Sequence, residues 1–140
     1  MNNSKKRRAG QDASRQPLVL ALDIGTSSVR SSLFDRRGRR VDAASAQRAY
    51  ALEQNTPGQA ELVPGTLLRA ARQCLRKTLQ ARDSSAELRR RPVVAVGASC
   101  FWHSLLGVDA DGEPLTPIYT WADARSAREA ERLRRNAQLQ

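Results

Sequence analysis

Leu18-Val19-Leu20-Ala21-Leu22-Asp23-Ile24-Gly25-Thr26-Ser27-Ser28-Val29-Arg30 is the stretch whose reading decides the fold. Five apolar residues run into a carboxylate, a glycine and three hydroxyls, and a second β-type run starts at once. Residues 18–23 read as a buried strand and 29–35 as its hairpin partner across the Gly-Thr-Ser turn. Such a turn suits a phosphate and its metal ion. Glycine lets the backbone approach closely, successive N–H groups and hydroxyls supply donors, and Asp23 can hold Mg²⁺ directly or through water. The same residues also read as a polar hairpin with nothing bound. Asp23 would then cap the N–H of Gly25 or Thr26, and Arg30 would lie on the outer face of its strand.

Arg36-Arg37-Gly38-Arg39 supplies a second tight turn with Gly38 free to take a positive φ, and 41–51 reads as a third strand. The three strands make an antiparallel meander. Pro57-Gly58 and Pro64-Gly65 mark 54–64 as a loop closed by breakers. Over 66–82, Leu67, Leu68, Ala71, Cys74, Leu75, Thr78 and Leu79 recur at spacings of three and four, with Arg69, Arg72, Arg76 and Lys77 opposite. That is an amphipathic helix. The run 92–98 is continuous and rich in valine, which predicts a strand buried on both faces. Residues 105–108 and 115–119 flank Asp109-Ala110-Asp111-Gly112, a hairpin turn. Ser126 with Glu129 three residues later predicts a capping box, opening a helix whose narrow apolar face is Ala127, Ala130, Leu133 and Ala137.

The strand 92–98 leads into Gly97-Ala98-Ser99-Cys100-Phe101-Trp102-His103-Ser104-Leu105, and Thr120-Trp121-Ala122-Asp123-Ala124-Arg125 follows the second hairpin. His103 is the only histidine in the chain. A lone histidine is usually structural, but this one stands beside an indole. By themselves, Trp121 reads as core and Asp123 as a loop cap before the last helix.

The order and spacing of these segments resemble the N-terminal part of the FGGY family of carbohydrate kinases, from Leu18 to the chain end. The family shares its ATPase fold with actin and hexokinase. The resemblance implies an α/β chain, a partial actin-like ATPase (ribonuclease H-like) domain with a mixed sheet. It places ATP phosphates and Mg²⁺ at Asp23, Gly25, Thr26, Ser27, Ser28 and Arg30, with Asp23 as the metal ligand. It places the sugar at Trp102, His103, Trp121 and Asp123. The pair aligned with Trp102-His103 is Arg-Glu in glycerol kinases and Met-His in xylulokinases, so glycerol is disfavoured and Trp102 narrows the pocket. His103-Ser104-Leu105 and Thr120-Trp121-Ala122-Asp123 look most like gluconokinases. Gluconate is therefore the expected substrate, with xylulose-type sugars next.

Members of that family have two large domains. The chain is accordingly expected to be an incomplete N-terminal domain, 17–140, cut in or after the helix starting at 126 and inactive alone. No catalytic residue is expected within it, because the base aspartate and the adenosine site are implied to lie beyond residue 140. The resemblance leaves room for a homodimeric complete enzyme. The alternative is a non-catalytic sugar-binding or regulatory module derived from such a kinase.

Composition narrows the classes further. With 24 Lys and Arg against 14 Asp and Glu, the formal net charge is +10. The basic residues are spread along the chain, and two Trp, two Tyr and two Phe give no stacking platform, so nucleic acid is disfavoured. The basic tail 1–16, with Lys5-Lys6-Arg7-Arg8, is expected to be disordered and solvated. Cys74 and Cys100 lack metal-ligand spacing and are expected to be reduced, buried thiols of a cytoplasmic protein. No window approaches the roughly 18 apolar residues of a membrane span.

Overall fold

The computed structural model describes residues 16–136. The basic tail (apart from Gln16) and Ala137 lie outside the described residues. The described residues fall into two compact units, one running to Tyr50 and resuming at Leu68–Cys100, the other comprising Ala51–Leu67 and the residues from Phe101 onward.

The first unit is a four-stranded mixed sheet. Strands β1 (Leu18–Ile24), β2 (Ser28–Asp35) and β3 (Arg40–Ala49) form the expected antiparallel meander, and β5 (Val93–Cys100) adds to the free edge of β1, giving the order β3-β2-β1-β5. The β1–β5 pairing is parallel, with Asp23 opposite Ser99 and Ile24 opposite Cys100. A parallel neighbour needs a long crossover. Helix α1 (Pro64–Ser84) and a 3₁₀ turn (Leu88–Arg90) lie in that crossover. Gly38 takes φ 71° in the β2–β3 turn, where Asp35 accepts the backbone N–H groups of Arg37 and Arg39.

Leu18, Leu20, Leu33, Ala44 and Leu88 form the buried core, flanked by Leu22, Val41, Leu75, Ala81 and Val93. α1 covers this side with Ala70, Cys74 and Thr78. The Cys74 thiol donates to the Val29 carbonyl at 3.3 Å, and Thr78 Oγ1 donates to the Ser31 carbonyl at 3.1 Å while also meeting Ser31 Oγ. Burial pushes the Cys74 thiol pKa up. The helical stripe is rotated from the expected one. Leu68 and Leu79 are exposed, and small Ala70 takes the contact. A helix that binds a sheet through two polar side chains brings small residues, not the largest apolar ones, to the closest approach.

Three further expectations are corrected. β5 is not buried on both faces: it is an edge strand, with Val94 63% and Val96 67% exposed. Its apolar pattern encodes burial, but among the described residues only β1 pairs with it. Cys100, at its end, is exposed where a buried thiol was expected. Pro64-Gly65 does not break the chain but opens α1. Proline at the first helical position has no N–H to leave unsatisfied and already holds a helical φ.

The second unit holds the two-residue strands β4 (Glu61–Leu62) and β6 (Ile118–Tyr119), paired antiparallel with Glu61 opposite Tyr119. β4 lies inside the expected loop 54–64. Isolated bridges join Leu105 to Tyr119 and Val108 to Pro114 across the expected hairpin, whose turn ends at Gly112 with φ 83°. Helix α2 (Ala127–Arg134) begins after Ser126. The capping box is absent: Ser126 has φ −86° and ψ 4° and makes no side-chain cap bond. A capping side chain needs extended backbone to swing back over the first turn, and Ser126 is already near-helical. No residue of α2 is buried: Ala127 and Leu133 are exposed and Ala130 is partly so.

Candidate functional site

The expected phosphate turn is the three-residue link, Gly25 to Ser27, between β1 and β2. Gly25 donates its N–H to the Ser28 carbonyl at 2.9 Å, closing the hairpin around Thr26 and Ser27. A Cβ at position 25 would stand 3.3 Å from that carbonyl, tighter than packing normally tolerates, so glycine suits this turn for closeness alone. With the Gly25 N–H taken by backbone, Asp23 does not cap that residue. Its carboxylate instead faces Arg30 directly across the hairpin, 3.5 Å from Nη1, with both side chains about half exposed. Such a pair at the surface is worth little to stability, at most about 1 kcal/mol. Asp23 is thus held beside an open turn at modest cost.

The hydroxyls divide. Ser28 is buried, and its Oγ accepts Gln47 Nε2 at 3.1 Å. Ser27 is exposed and Thr26 partly so. Sequence reading missed two residues here. Gln47 holds Ser28, and Tyr50 ties the turn itself, its N–H donating to the Ser27 carbonyl at 3.0 Å and its hydroxyl donating to the Gly25 carbonyl. The available signal was a lone aromatic at the end of a strand otherwise free of large apolar residues.

Mg²⁺ prefers a few hard oxygens and keeps several waters. Among the described residues no cluster of three or more His, Cys, Asp or Glu forms a cage. One half-exposed carboxylate beside an open turn fits a cation carried largely by phosphate oxygens and water.

The other candidate residues lie in the second unit. His103, Leu105, Tyr119, Trp121, Asp123 and Arg125 line an open depression of about 610 Å³. His103 is the only non-glycine described residue with a positive φ, 54°. The left-handed region costs an L residue roughly 1–2 kcal/mol, and such strain concentrates where a side chain must be aimed. Trp102 is not part of the depression's wall. It stands 76% exposed and meets the His103 ring edge-on at 5.9 Å. Trp121 opens to solvent at the depression.

Asp123 is placed differently from the two rings. Its Oδ2 accepts the Ala60 N–H at 3.0 Å and Arg125 Nη2 at 2.7 Å, and Oδ1 accepts Arg125 Nε at 3.1 Å. Arg125 also binds Glu61 and lies over the Tyr119 ring, 5.7 Å from its centroid. The Arg125 hydrogen bonds, followed by that of Ala60, hold the Asp123 carboxyl down at about 2, and the carboxylates push the guanidinium pKa up. Glu61, which the sequence reading passed over, is lowered too, first by its bond from Gln59 and then by Arg125. Two more contacts fasten the same strips: Thr120 Oγ1 donates to the Ala60 carbonyl at 2.7 Å, and the Ala124 N–H donates to the Gly58 carbonyl at 2.8 Å. The signal for Glu61 was an acid followed by Leu62-Val63 just before the helix-opening proline.

Residues 18–140 match the model of the N-terminal domain of the FGGY family of carbohydrate kinases. An autoinducer-2 kinase of Salmonella choleraesuis is 32% identical over 120 residues, 83% of this chain and 21% of the relative. The crystal structure of a gluconate kinase from Lactobacillus acidophilus superposes with a TM-score of 0.70 at 30% identity, over 88% of this chain and 24% of that one. A ligand-bound xylulose kinase from the same organism gives 0.69 at 31%, over 87% and 24%. The chain therefore spans about a fifth to a quarter of the length of the proteins it matches.

Proposed function

The chain belongs to the FGGY family of carbohydrate kinases, with the actin-like ATPase fold of that family, and from this premise we propose that it supplies two binding strips of an ATP-dependent sugar kinase. Asp23 and the turn 25–28 receive the nucleotide's phosphates and Mg²⁺, and His103 and Trp121 receive the sugar. The observation that carries the sugar strip is the strained backbone of His103, which aims the ring into the same depression that Trp121 lines. An indole face suits the C–H side of a polyol, and an imidazole can donate to or accept from a hydroxyl.

Phosphoryl transfer needs positioning and charge neutralisation more than covalent chemistry from the protein. Mg²⁺ brought with the nucleotide supplies charge neutralisation at the phosphates. Arg30 and Asp23 balance one another at the turn, Thr26 and Ser27 offer hydroxyls, and the backbone N–H groups of those two residues are the remaining donors. Asp123 contributes by bracing Arg125 and the Ala60 strip beneath the sugar-facing rings, since its acceptors are already engaged. Trp102 shields one side of His103.

The substrate is a sugar or sugar acid. Gluconate leads on the His103-Ser104-Leu105 and Thr120-Trp121-Ala122-Asp123 segments, xylulose follows, and autoinducer-2 joins the panel through the relatives that carry its name. Calorimetric titration of the complete enzyme with these three and glycerol tests the reading. His103→Ala and Trp121→Ala should each weaken the preferred sugar by about 1–3 kcal/mol while leaving ATP binding unchanged. Preference for glycerol, or equal loss of both ligands, would sink the assignment of this strip.

A further inference from the structure

We propose that Tyr50 is a positioning residue of the phosphate turn, holding the Gly25 and Ser27 carbonyl groups so that neither faces an incoming anion. This rests on the reading of 25–28 as a phosphate turn. A tight turn exposes carbonyl oxygens as well as N–H groups, and a carbonyl dipole turned toward a phosphate repels it. In this chain the carbonyls on either side of Thr26 both have a partner. Ser27 O accepts the Tyr50 N–H at 3.0 Å, and Gly25 O accepts the Tyr50 hydroxyl. One residue therefore clasps the turn on both sides of Thr26.

The surrounding structure fixes the clasp. Tyr50 follows directly on β3, whose last residue, Ala49, pairs with Ser28. Gln47, two residues earlier, binds the Ser28 hydroxyl at 3.1 Å. The end of β3 thus reaches Gly25, Ser27 and Ser28, while the exposed Ser27 side chain and Thr26 are left to a ligand. Burial, and then the negative charge of Asp23, push the phenol pKa up, so the hydroxyl remains a donor throughout the neutral range.

The test is a magnesium titration of the chain with inorganic triphosphate, followed by the amide resonances of Gly25, Thr26 and Ser27, for the unsubstituted protein and for Tyr50→Phe. Phenylalanine keeps the ring and the backbone N–H and removes only the bond to Gly25 O. The expected result is about three- to tenfold weaker triphosphate binding. Solvent exchange of the Gly25 amide should also be faster, while the thermal midpoint and the Leu20 and Leu33 resonances stay in place. Equal affinity of the two proteins would overturn the proposal and leave the phosphate reading intact. Failure of the unsubstituted chain to shift at the turn would overturn the phosphate reading and the proposal with it. Collapse of the sheet on losing one hydroxyl would show Tyr50 to be a folding determinant, which also overturns it.

Discussion

The turn between β1 and β2 and the strip from Gly58 to Arg125 are both candidate ligand surfaces, yet they are built by opposite means. The turn hangs from backbone ladders: two antiparallel pairings, one parallel pairing and a core of leucines hold it, and the side chains of Asp23, Thr26 and Ser27 are spared for other work. The strip has only two residue pairs of ladder between β4 and β6. Its shape depends on side chains: Asp123, Arg125, Glu61 and Thr120 bond backbone or one another. A surface held by backbone can give its charged residue to chemistry. A surface held by side chains has already committed some of its charged residues to structure.

That contrast can be broken most directly at Asp23. On the proposed reading, Asp23→Asn in the complete enzyme lowers turnover by about two to three orders of magnitude, the scale seen when one preorganised electrostatic partner is removed. Sugar affinity and thermal stability should barely change, because the carboxylate makes only a half-exposed contact with Arg30. Steady-state kinetics beside a melting curve decides it. Near-normal turnover would reduce Asp23 to a surface residue of the hairpin.

Leu33→Ala should do the reverse. Leu33 is fully buried, and truncating such a side chain costs about 2–5 kcal/mol. Denaturant unfolding should show that loss in the sheet unit, with the resonances of Gly58, Thr120 and Asp123 the last to respond. Simultaneous loss of both regions would show that the strip depends on the sheet as much as on its own side chains.

Acid sharpens the comparison with a smaller effect. Asp123 is held at about 2 against an ordinary 3.8, chiefly by Arg125, and Glu61 is lowered as well. Groups whose pKa falls on folding stabilise the fold fully above their unfolded pKa, and that contribution is lost as pH falls through the folded one. The strip should therefore loosen between about pH 4 and pH 2. Asp35, also held at about 2, first by the Arg39 N–H, puts a matching step in the sheet unit, confined to the Arg36–Arg39 turn. Asp123→Asn should flatten the pH response of the Ala60 and Arg125 amides and leave that of Arg37 and Arg39 untouched. An unchanged response at Ala60 would mean that the Asp123–Arg125 brace does not hold the strip.

Legibility followed the same division. The meander, its Gly38 turn and α1 could be read because period-two and period-3.6 patterns act over neighbouring residues. β4 could not, because a two-residue strand has no period to detect, whereas β6 was legible only as part of the 115–119 arm of the second hairpin. Pro64 was ambiguous: proline both ends and begins helices, and only the chain before it decides which. The Ser126-Glu129 spacing matched a capping box, but the local backbone did not.

Of the candidate site, the sequence by itself determined the chemistry on offer: an acid at a strand end, a glycine and hydroxyls in a turn, and an indole and an imidazole placed near small-residue segments. Those are properties of residue type and order. Only the tertiary structure decided which groups remain available. It sent the Asp123 carboxylate to Arg125 and Ala60, and Ser28 to Gln47, while leaving Asp23 half open and His103 in a strained backbone. It also brought Tyr50 back to Gly25, across 25 positions of sequence. Hydrogen-bond partners far apart in the chain are chosen by strand register and turn geometry, and no local pattern carries that information.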